Sequence, residues 1–171
     1  MSDERNNIIL IGMPTSGKST VGVILAKMLG MDFIDTDIVL QKREGSKLRD
    51  IIAAQGIDAF LRKEEQAVLS VSARHTVIAT GGSVVYGDAA MKHLSENATV
   101  VYLKIDLPEL KKRLTDVRGR GVVLHEGESL EEMFATRTAL YERYSDITVA
   151  ETGTIEDTVR AVLGAIESRE K

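Results

Sequence analysis

The residues with the clearest chemical potential form the stretch from Gly12 to Ser19, which reads Gly-Met-Pro-Thr-Ser-Gly-Lys-Ser. It matches the pattern G-x-x-x-x-G-K-[ST] at every fixed position. The glycines let the backbone turn so that several N–H groups converge on one anion, and a helix that begins near Lys18 adds the positive end of its dipole. The sequence therefore predicts a phosphate cradle in which Lys18 reaches the β and γ phosphates and Ser19 holds Mg²⁺.

The segments on either side support this interpretation. Residues 7–11 form a short apolar run, and residues 20–29 follow a helical pattern. Strand, glycine turn and helix is the order that a phosphate-binding loop requires. The alternative is a glycine-rich turn that contains an unrelated lysine, and these flanks disfavour it.

Two carboxylates follow the next short strand, which is predicted over residues 32–34. Asp35 and Asp37 lie two residues apart, so they share a side if the chain is still extended there. A Mg²⁺ ion beside the phosphate cradle would balance their charge. Capping of a helix over residues 38–43 is the competing interpretation.

Two charged residues interrupt the apolar stripes of predicted helices. Glu64 lies in the middle of the stripe on residues 58–72, and Arg137 lies at the centre of the stripe on the helix that the capping box at 129–132 opens. A charge in such a place must be paired or face a polar pocket. Arg62, on the opposite side of its helix, is expected to be a solvated surface charge. The pattern predicts a shared polar pocket or a buried pair.

Two glycine-containing segments are further candidates. A strand over residues 76–79 ends at Gly81-Gly82-Ser83, where both close approach of a ligand and a plain turn are open interpretations. Residues 117–127 contain three glycines and two arginines, Arg118 and Arg120, without helical periodicity. This composition is typical of a mobile flap whose arginines fold over a phosphate, although an ordinary basic loop would have the same composition.

The bulk composition bounds the function. The 171 residues are 43% hydrophobic and 28% charged, which suits one compact domain. No apolar run has bilayer length and the start is polar and acidic, so we expect a cytoplasmic protein without a membrane contact. Zero Cys excludes disulfides and thiolate metal sites, and a net charge of −4 argues against nucleic-acid binding. We expect a monomer that acts on a small molecule.

Five short strands that alternate with helices predict the α/β fold class, specifically a three-layer αβα P-loop fold with a five-stranded parallel sheet. In such sheets, ligands bind at the carboxyl ends of the strands. We expect residues 1–171 to form a single domain, in which 38–73 is a small helical substrate-binding insertion and 117–127 a mobile lid.

Over nearly its full length the chain resembles shikimate kinases, which are small P-loop kinases with the nucleoside monophosphate kinase fold. The resemblance implies ATP- and Mg²⁺-dependent phosphorylation of a hydroxyl, most simply that of shikimate to shikimate 3-phosphate in aromatic amino acid biosynthesis. It implies catalytic roles for Lys18, Asp37 and Arg120, and places Mg²⁺ at Ser19 and, through water, Asp35. The implied nucleotide contacts are Gly12, Met13, Pro14, Thr15, Ser16, Gly17, Lys18, Ser19, Thr20, Arg113 and Arg120. The implied substrate residues are Asp37, Leu61, Glu64, Gly81, Gly82, Ser83 and Arg137.

The chain departs from the family pattern at three places. Leu61 stands where the family has one of two carboxylate-binding arginines, Ser83 replaces the third glycine of G-G-G, and residues 120–123 read Arg-Gly-Val-Val in place of Arg-Pro-Leu-Leu. Loss of a charge-assisted contact costs about 1.5 to 3 kcal/mol, which is about one to two orders of magnitude in affinity. The expected acceptor is therefore shikimate bound differently, or another small hydroxylated metabolite.

Other classes of nucleotide-binding protein are less favoured. In a nucleotide-gated switch, a guanine-reading Asn-Lys-x-Asp would be expected, but residues 103–106 read Leu-Lys-Ile-Asp. A nucleoside monophosphate kinase would need arginines for a second phosphate between Asp37 and Glu64, where few are well placed. A non-catalytic ATP-binding protein is disfavoured because Lys18 and Ser19 are both present.

Overall fold

The computed structural model describes residues 6–116 and 122–169. Its centre is a parallel sheet with the strand order β2-β3-β1-β4-β5. The strands are β1 (Asn7–Gly12), β2 (Asp32–Asp35), β3 (Thr76–Ala79), β4 (Ala98–Lys104) and β5 (Ile147–Ala150). The helices are α1 (Lys18–Leu29), α2 (Thr36–Glu44), α3 (Leu48–Gln55), α4 (Ile57–Leu69), α5 (Asp88–Ser95), α6 (Leu107–Asp116), α7 (Leu130–Tyr144) and α8 (Ile155–Arg169). The predicted fold class and five-stranded parallel sheet are confirmed.

Strand β1 is central because both of its faces are apolar. Ile8 and Leu10 pack into the core under α1 and α8, and Ile9 and Ile11 pack into the opposite core under α5 and α7. The alternation follows from the two-residue period of a strand, and burial on both faces is typical of a parallel sheet. Each fully buried side chain contributes roughly 1.5 to 3 kcal/mol. This three-layer arrangement fixes the carboxyl end of β1, where the predicted phosphate loop begins.

The helices α2, α3 and α4 form a smaller layer with its own apolar cluster. Leu40, Ile51, Phe60 and Ala67 from these helices are buried in it together with Val123. A helical insertion was predicted over residues 38–73, and the three helices fall in that region. Since Val123 lies just beyond the undescribed residues 117–121, the segment before α7 is attached to this layer by at least one buried side chain.

The helix considered over residues 38–43 starts earlier, at Thr36. The difference arises because Asp35 serves as the N-cap, so the chain turns helical directly after β2. Across the two described ranges, no helix has both the length and the apolar character needed to cross a membrane.

Candidate functional site

The loop between β1 and α1 has the backbone of an anion cradle. Thr15 and Gly17 have positive φ angles of 67° and 78°, which curl successive N–H groups toward one side. Gly12 has φ 151°, and a Cβ there would lie 2.6 Å from the carbonyl oxygen of Leu103. Only glycine fits this close approach to β4. Because α1 begins at Lys18, its unpaired N–H groups and positive dipole end open into the same loop.

The side chain of Lys18 is held within this loop. Its Nζ donates to the carbonyl oxygens of Gly12 at 2.9 Å and Met13 at 2.7 Å, and the residue is 7% exposed. Burial lowers the pKa of Lys18 to about 8, against the opposing pull of Asp37. The ammonium therefore stays mostly charged at neutral pH and is available to an anion at the cradle.

Two oxygen ligands suited to Mg²⁺ lie together beside the cradle. The hydroxyl of Ser19 donates to Oδ2 of Asp35 at 2.5 Å. Mg²⁺ prefers hard oxygen ligands, keeps several waters and commonly takes only one or two protein groups plus substrate phosphates. The described residues contain no cluster of three or more His, Cys, Asp or Glu that could hold a metal. A hydroxyl and one carboxylate fit a Mg²⁺ ion that is held mainly by nucleotide phosphates.

The two acids that follow β2, Asp35 and Asp37, have different positions in the structure. Asp35 caps α2, because its Oδ1 accepts the N–H of Asp37 at 2.9 Å. The chain is already helical at Asp37, so the condition of an extended segment is not met, and Asp35 has the capping role of the competing interpretation. The turn leaves Asp35 beside Ser19 and directs Asp37 to the neighbouring cavity.

A cavity of about 530 Å³ opens at the carboxyl ends of β2, β3 and β1. Part of the phosphate loop, between Pro14 and Thr20, lines this cavity. Most of the residues predicted to contact substrate line it as well. Those residues are Asp37, Glu64, Gly81, Gly82, Ser83 and Arg137. Leu61 does not line it and instead lines a smaller neighbouring cavity of about 180 Å³. Phosphate loop and substrate residues therefore share one cavity.

Glu64 is a buried acid that lines this cavity. One carboxylate oxygen, Oε2, accepts the hydroxyl of Ser83 at 2.6 Å, whereas the buried Oε1 has no hydrogen-bond partner among the residues that the structure describes. Burial raises the pKa of Glu64 to about 7. The hydrogen bond from Ser83 and the charge of Arg137 oppose this rise, and the charge of Asp37 adds to it. An unpaired buried oxygen is costly, so this atom is a natural acceptor for a ligand hydroxyl.

The absence of a side chain at Gly81 brings two acids together. A Cβ built there would collide with Oε1 of Glu64 and would lie 2.8 Å from Oδ1 of Asp37. Both oxygens therefore border the same small space. Of the two interpretations open for this glycine pair, close approach is the one that the geometry favours.

Arg137 is buried in the wall of the cavity beside Gly82, where it is 1% exposed. Its Nη2 donates to the carbonyl oxygen of Val123 at 2.5 Å, its Nε to the Tyr86 hydroxyl at 3.3 Å, and its guanidinium lies 5.2 Å from the Tyr86 ring centre. These contacts fix the plane of the guanidinium. In the part of the chain that the structure describes, Glu64 and Arg137 share a pocket and form no ion pair.

A second cavity of about 540 Å³ lies on the other side of the phosphate loop, at the ends of β4 and β5. Arg113 lines it, and its Nη1 donates to the carbonyl oxygen of Thr15 at 2.9 Å. The same Nη1 lies 2.7 Å from Oε2 of Glu151. Arg113 thus joins α6 to the phosphate loop at the place predicted for the nucleotide base, and Thr15 and Gly17 line both cavities.

Some residues of this site were not found from the sequence. Glu151, directly after β5, lies against the phosphate loop, and burial raises its pKa against the pull of Arg113. Lys47 and Arg49 line the main cavity, although few cations seemed well placed between Asp37 and Glu64. The signal for Glu151 was its position at a strand's carboxyl end. The predicted lid residues Arg118 and Arg120 lie outside the described residues, so the lid stays a prediction.

Comparison with known proteins gives one consistent family. A family profile described as shikimate kinase matches residues 14–167. The chain is 37% identical over 142 residues to a shikimate kinase of Clostridium botulinum, covering 80% of this chain and 83% of that protein. It is 31% identical over 168 residues to shikimate kinase 2 of Pectobacterium carotovorum, covering 93% and 95%.

A solved structure agrees with the sequence comparisons. Shikimate kinase from Acinetobacter baumannii, determined in complex with shikimate, superposes with a TM-score of 0.87 at 27% identity. The match covers 96% of this chain and 94% of that one. The sheet and the helical layer at its edge are therefore shared over almost the whole length.

Proposed function

This chain belongs to the shikimate kinase family, and on that premise we propose that it transfers the γ-phosphoryl group of ATP to a hydroxyl of shikimate. The single observation that carries the proposal is the shared cavity, in which the phosphate loop and the acids around Gly81 border one space. Donor and acceptor sites that open into each other are what phosphoryl transfer needs, because the reaction depends mostly on positioning and charge neutralisation.

On the donor side, the loop holds the nucleotide phosphates. Its curled N–H groups and the N-terminus of α1 bind their oxygens, while the Lys18 ammonium offsets their charge. The cavity beside Arg113 receives the base. Ser19 and Asp35 would hold Mg²⁺, which would supply positive charge to offset that of the phosphates. Arg120 is proposed to cover the transferring group as part of a lid over residues 117–127.

On the acceptor side, Asp37 orients the substrate hydroxyl and accepts its proton. Its Oδ1 borders the space at Gly81, opposite Glu64 Oε1, so the two acids can accept hydrogen bonds from neighbouring hydroxyls of one ring. Arg137, held flat by Val123 and Tyr86, binds the carboxylate of the substrate. The site therefore recognises a molecule with hydroxyls at one end and a carboxylate at the other.

Replacement of the proposed base tests the assignment. We expect Asp37→Asn to lower kcat about 10²- to 10⁴-fold, since it removes the proton acceptor, while ATP binding changes little. ADP release in the presence of Mg-ATP and shikimate measures turnover, and calorimetric titration measures ATP affinity. Asp58→Asn, at an exposed position in the first turn of α4, is the matched control and should behave as the wild type.

The acceptor itself is tested with a panel of quinate, homoserine, gluconate, nucleoside monophosphates and shikimate. Fastest turnover with shikimate supports the proposal. Turnover with another hydroxylated metabolite and none with shikimate would contradict it while leaving the kinase mechanism in place. Unchanged turnover in Asp37→Asn would remove Asp37 from its role.

A further inference from the structure

A carboxylate bound in the main cavity meets an uneven distribution of charge. Three acids, Asp35, Asp37 and Glu64, line the end near the phosphate loop and Gly81. Lys18 is tied to the loop carbonyls at that same end. A carboxylic acid substrate must therefore direct its carboxylate away from these acids and toward the arginines and Lys47 that line the same cavity.

Arg137 supplies only part of that opposite charge. Two of its three guanidinium nitrogens, Nε and Nη2, already donate to Tyr86 and Val123. Its third nitrogen, Nη1, lies close to Gly82, where a Cβ would be 3.1 Å away. Arg137 keeps N–H groups on Nη1 and Nη2 for a carboxylate, but it carries one positive charge among three acids. A second cation would add charge-assisted contacts to the carboxylate oxygens.

Position 61 cannot supply it in this chain. Leu61 is apolar, packs against the cluster of α2, α3 and α4, and borders the smaller neighbouring cavity. The adjacent Arg62 is exposed and also borders only that smaller cavity. Neither side chain of α4 therefore puts a positive charge into the main cavity.

The start of α3 does put positive charge there. Lys47, the N-cap residue, and Arg49, in the first turn, both line the main cavity. Arg49 forms one ion pair, with its sequence neighbour Asp50 at 3.5 Å, in which both side chains are more than half exposed. Such an exposed pair is worth little and is easily exchanged for another carboxylate.

The packing links this helix start to the part of the wall that holds Arg137. The carbonyl of Val123 accepts from Arg137, and the Val123 side chain is buried in the apolar cluster that contains Ile51 and, at its edge, Leu48. Arg49 lies between Leu48 and Ile51 in the first turn of the same helix. Arg49 and Arg137 therefore line one cavity, in which Val123 connects α3 to Arg137.

We propose that Arg49 provides the second cationic contact to the substrate's carboxylate, paired with Arg137, and that it determines the preference of this kinase for hydroxylated carboxylic acids. The inference rests on the proposed function only in taking such an acid as the acceptor. In this chain the second guanidinium would come from the start of α3 at position 49, because position 61 on α4 is a leucine. Lys47 adds a point charge beside it without the bidentate geometry.

Affinity measurements on Arg49 variants test the inference. Shikimate binding is followed by calorimetry in the presence of Mg-ADP, and ADP release gives KM and kcat. We expect Arg49→Ala to raise the Kd and KM for shikimate about 10- to 100-fold while the KM for ATP stays within about twofold. Arg49→Lys should lose less, because it keeps the charge and loses only the planar fork. Arg62→Ala, on the neighbouring helix outside the cavity, should match the wild type.

A neutral substrate separates recognition of the carboxylate from a structural effect. The methyl ester of shikimate lacks the charge that Arg49 is proposed to bind, so Arg49→Ala should weaken ester binding less than about threefold. Melting followed by circular dichroism checks that the variant is folded. Equal losses for acid and ester, or unchanged affinity for the acid, would overturn the inference.

The same measurements separate this inference from the proposed function. Binding of shikimate that depends on Arg49 but gives no ADP would contradict the kinase reaction and support the carboxylate contact. Turnover of shikimate with equal KM in the wild type and Arg49→Ala would support the reaction and overturn the contact. Failure of shikimate and of every other hydroxy acid in the panel to bind would overturn both.

Discussion

Among single residues, Gly81 most directly determines how the two acids of the cavity meet. Any Cβ there would collide with Glu64 and lie 2.8 Å from the carboxylate of Asp37. The backbone φ of Gly81 is not positive, so the requirement for glycine comes from space alone. A side chain would fill the place where the proposed substrate hydroxyls are bound.

We expect Gly81→Ala to lower kcat/KM for shikimate at least about 100-fold, because the methyl group displaces Asp37 from its proposed position, and a small misplacement has a large cost in rate. ATP affinity should change little. Gly164→Ala is the matched control: no atom lies within 4 Å of its Cβ position on α8, so it should raise stability by roughly 0.5 to 1 kcal/mol and leave activity unchanged. Steady-state kinetics and thermal melting check both. A fully active Gly81→Ala enzyme would contradict the site.

The residues that could be predicted from sequence are those whose type conflicts with their local pattern. Glu64 and Arg137 interrupt apolar stripes, and the structure puts both in one polar cavity. Arg49 gave no such signal, because a charged residue in the first turn of a short helix is ordinary on a surface. Its position became visible only when Val123 and α3 were seen to pack together.

Among the elements, α7 determines the position of the buried arginine. Its start is fixed by a complete capping box, in which the Ser129 hydroxyl accepts the N–H of Glu132 and the Glu132 carboxylate accepts the N–H of Ser129. The sequence predicted this box, and the prediction is confirmed. The helix then carries Arg137 two turns later to the cavity.

We expect Ser129→Ala to lower the free energy of unfolding by about 1 kcal/mol, because it removes the acceptor for an otherwise unpaired N–H. Affinity for shikimate should change far less, since the Val123 carbonyl and the Tyr86 hydroxyl, which accept from Arg137, remain in place. Urea unfolding and calorimetry measure the two effects. Ser72→Ala, at an exposed position after α4, is the control. An unchanged unfolding free energy would mean that the box contributes nothing to α7.

The elements also show why some boundaries could not be predicted. A helix over residues 38–43, capped by the two acids, was the competing interpretation, yet α2 starts at Thr36. The cause is that Asp35 is both a cap for α2 and the partner of Ser19 on α1. Sequence spacing presented these as alternatives, and only the three-dimensional contact shows that one carboxylate serves both.

At the scale of the whole molecule, burial shifts the pKa of Glu64 and of Lys18 in opposite directions. Burial raises the pKa of Glu64 to about 7 from an ordinary 4.5 and lowers that of Lys18 to about 8 from 10.5. Between about pH 4.5 and 7 the folded state binds more protons at Glu64 than the unfolded state does, so this group makes stability fall as pH rises. Between about pH 8 and 10.5 the folded state binds fewer protons at Lys18, so stability rises with pH.

The two groups together predict that the ligand-free protein carries its largest electrostatic cost near pH 7 to 8, where phosphate and hydroxyl ligands would relieve it. Glu64→Gln tests the contribution of Glu64, because glutamine cannot ionise. The free energy of unfolding of the wild type, minus that of this variant, should fall by up to about 3 kcal/mol from pH 4.5 to pH 7.5. Urea unfolding at a series of pH values measures this difference directly. Glu167→Gln, at an exposed position on α8, should follow the wild-type curve. Parallel curves for Glu64→Gln and the wild type would contradict the prediction. They would mean that the pKa of the Glu64 carboxyl is the same in the folded and unfolded states.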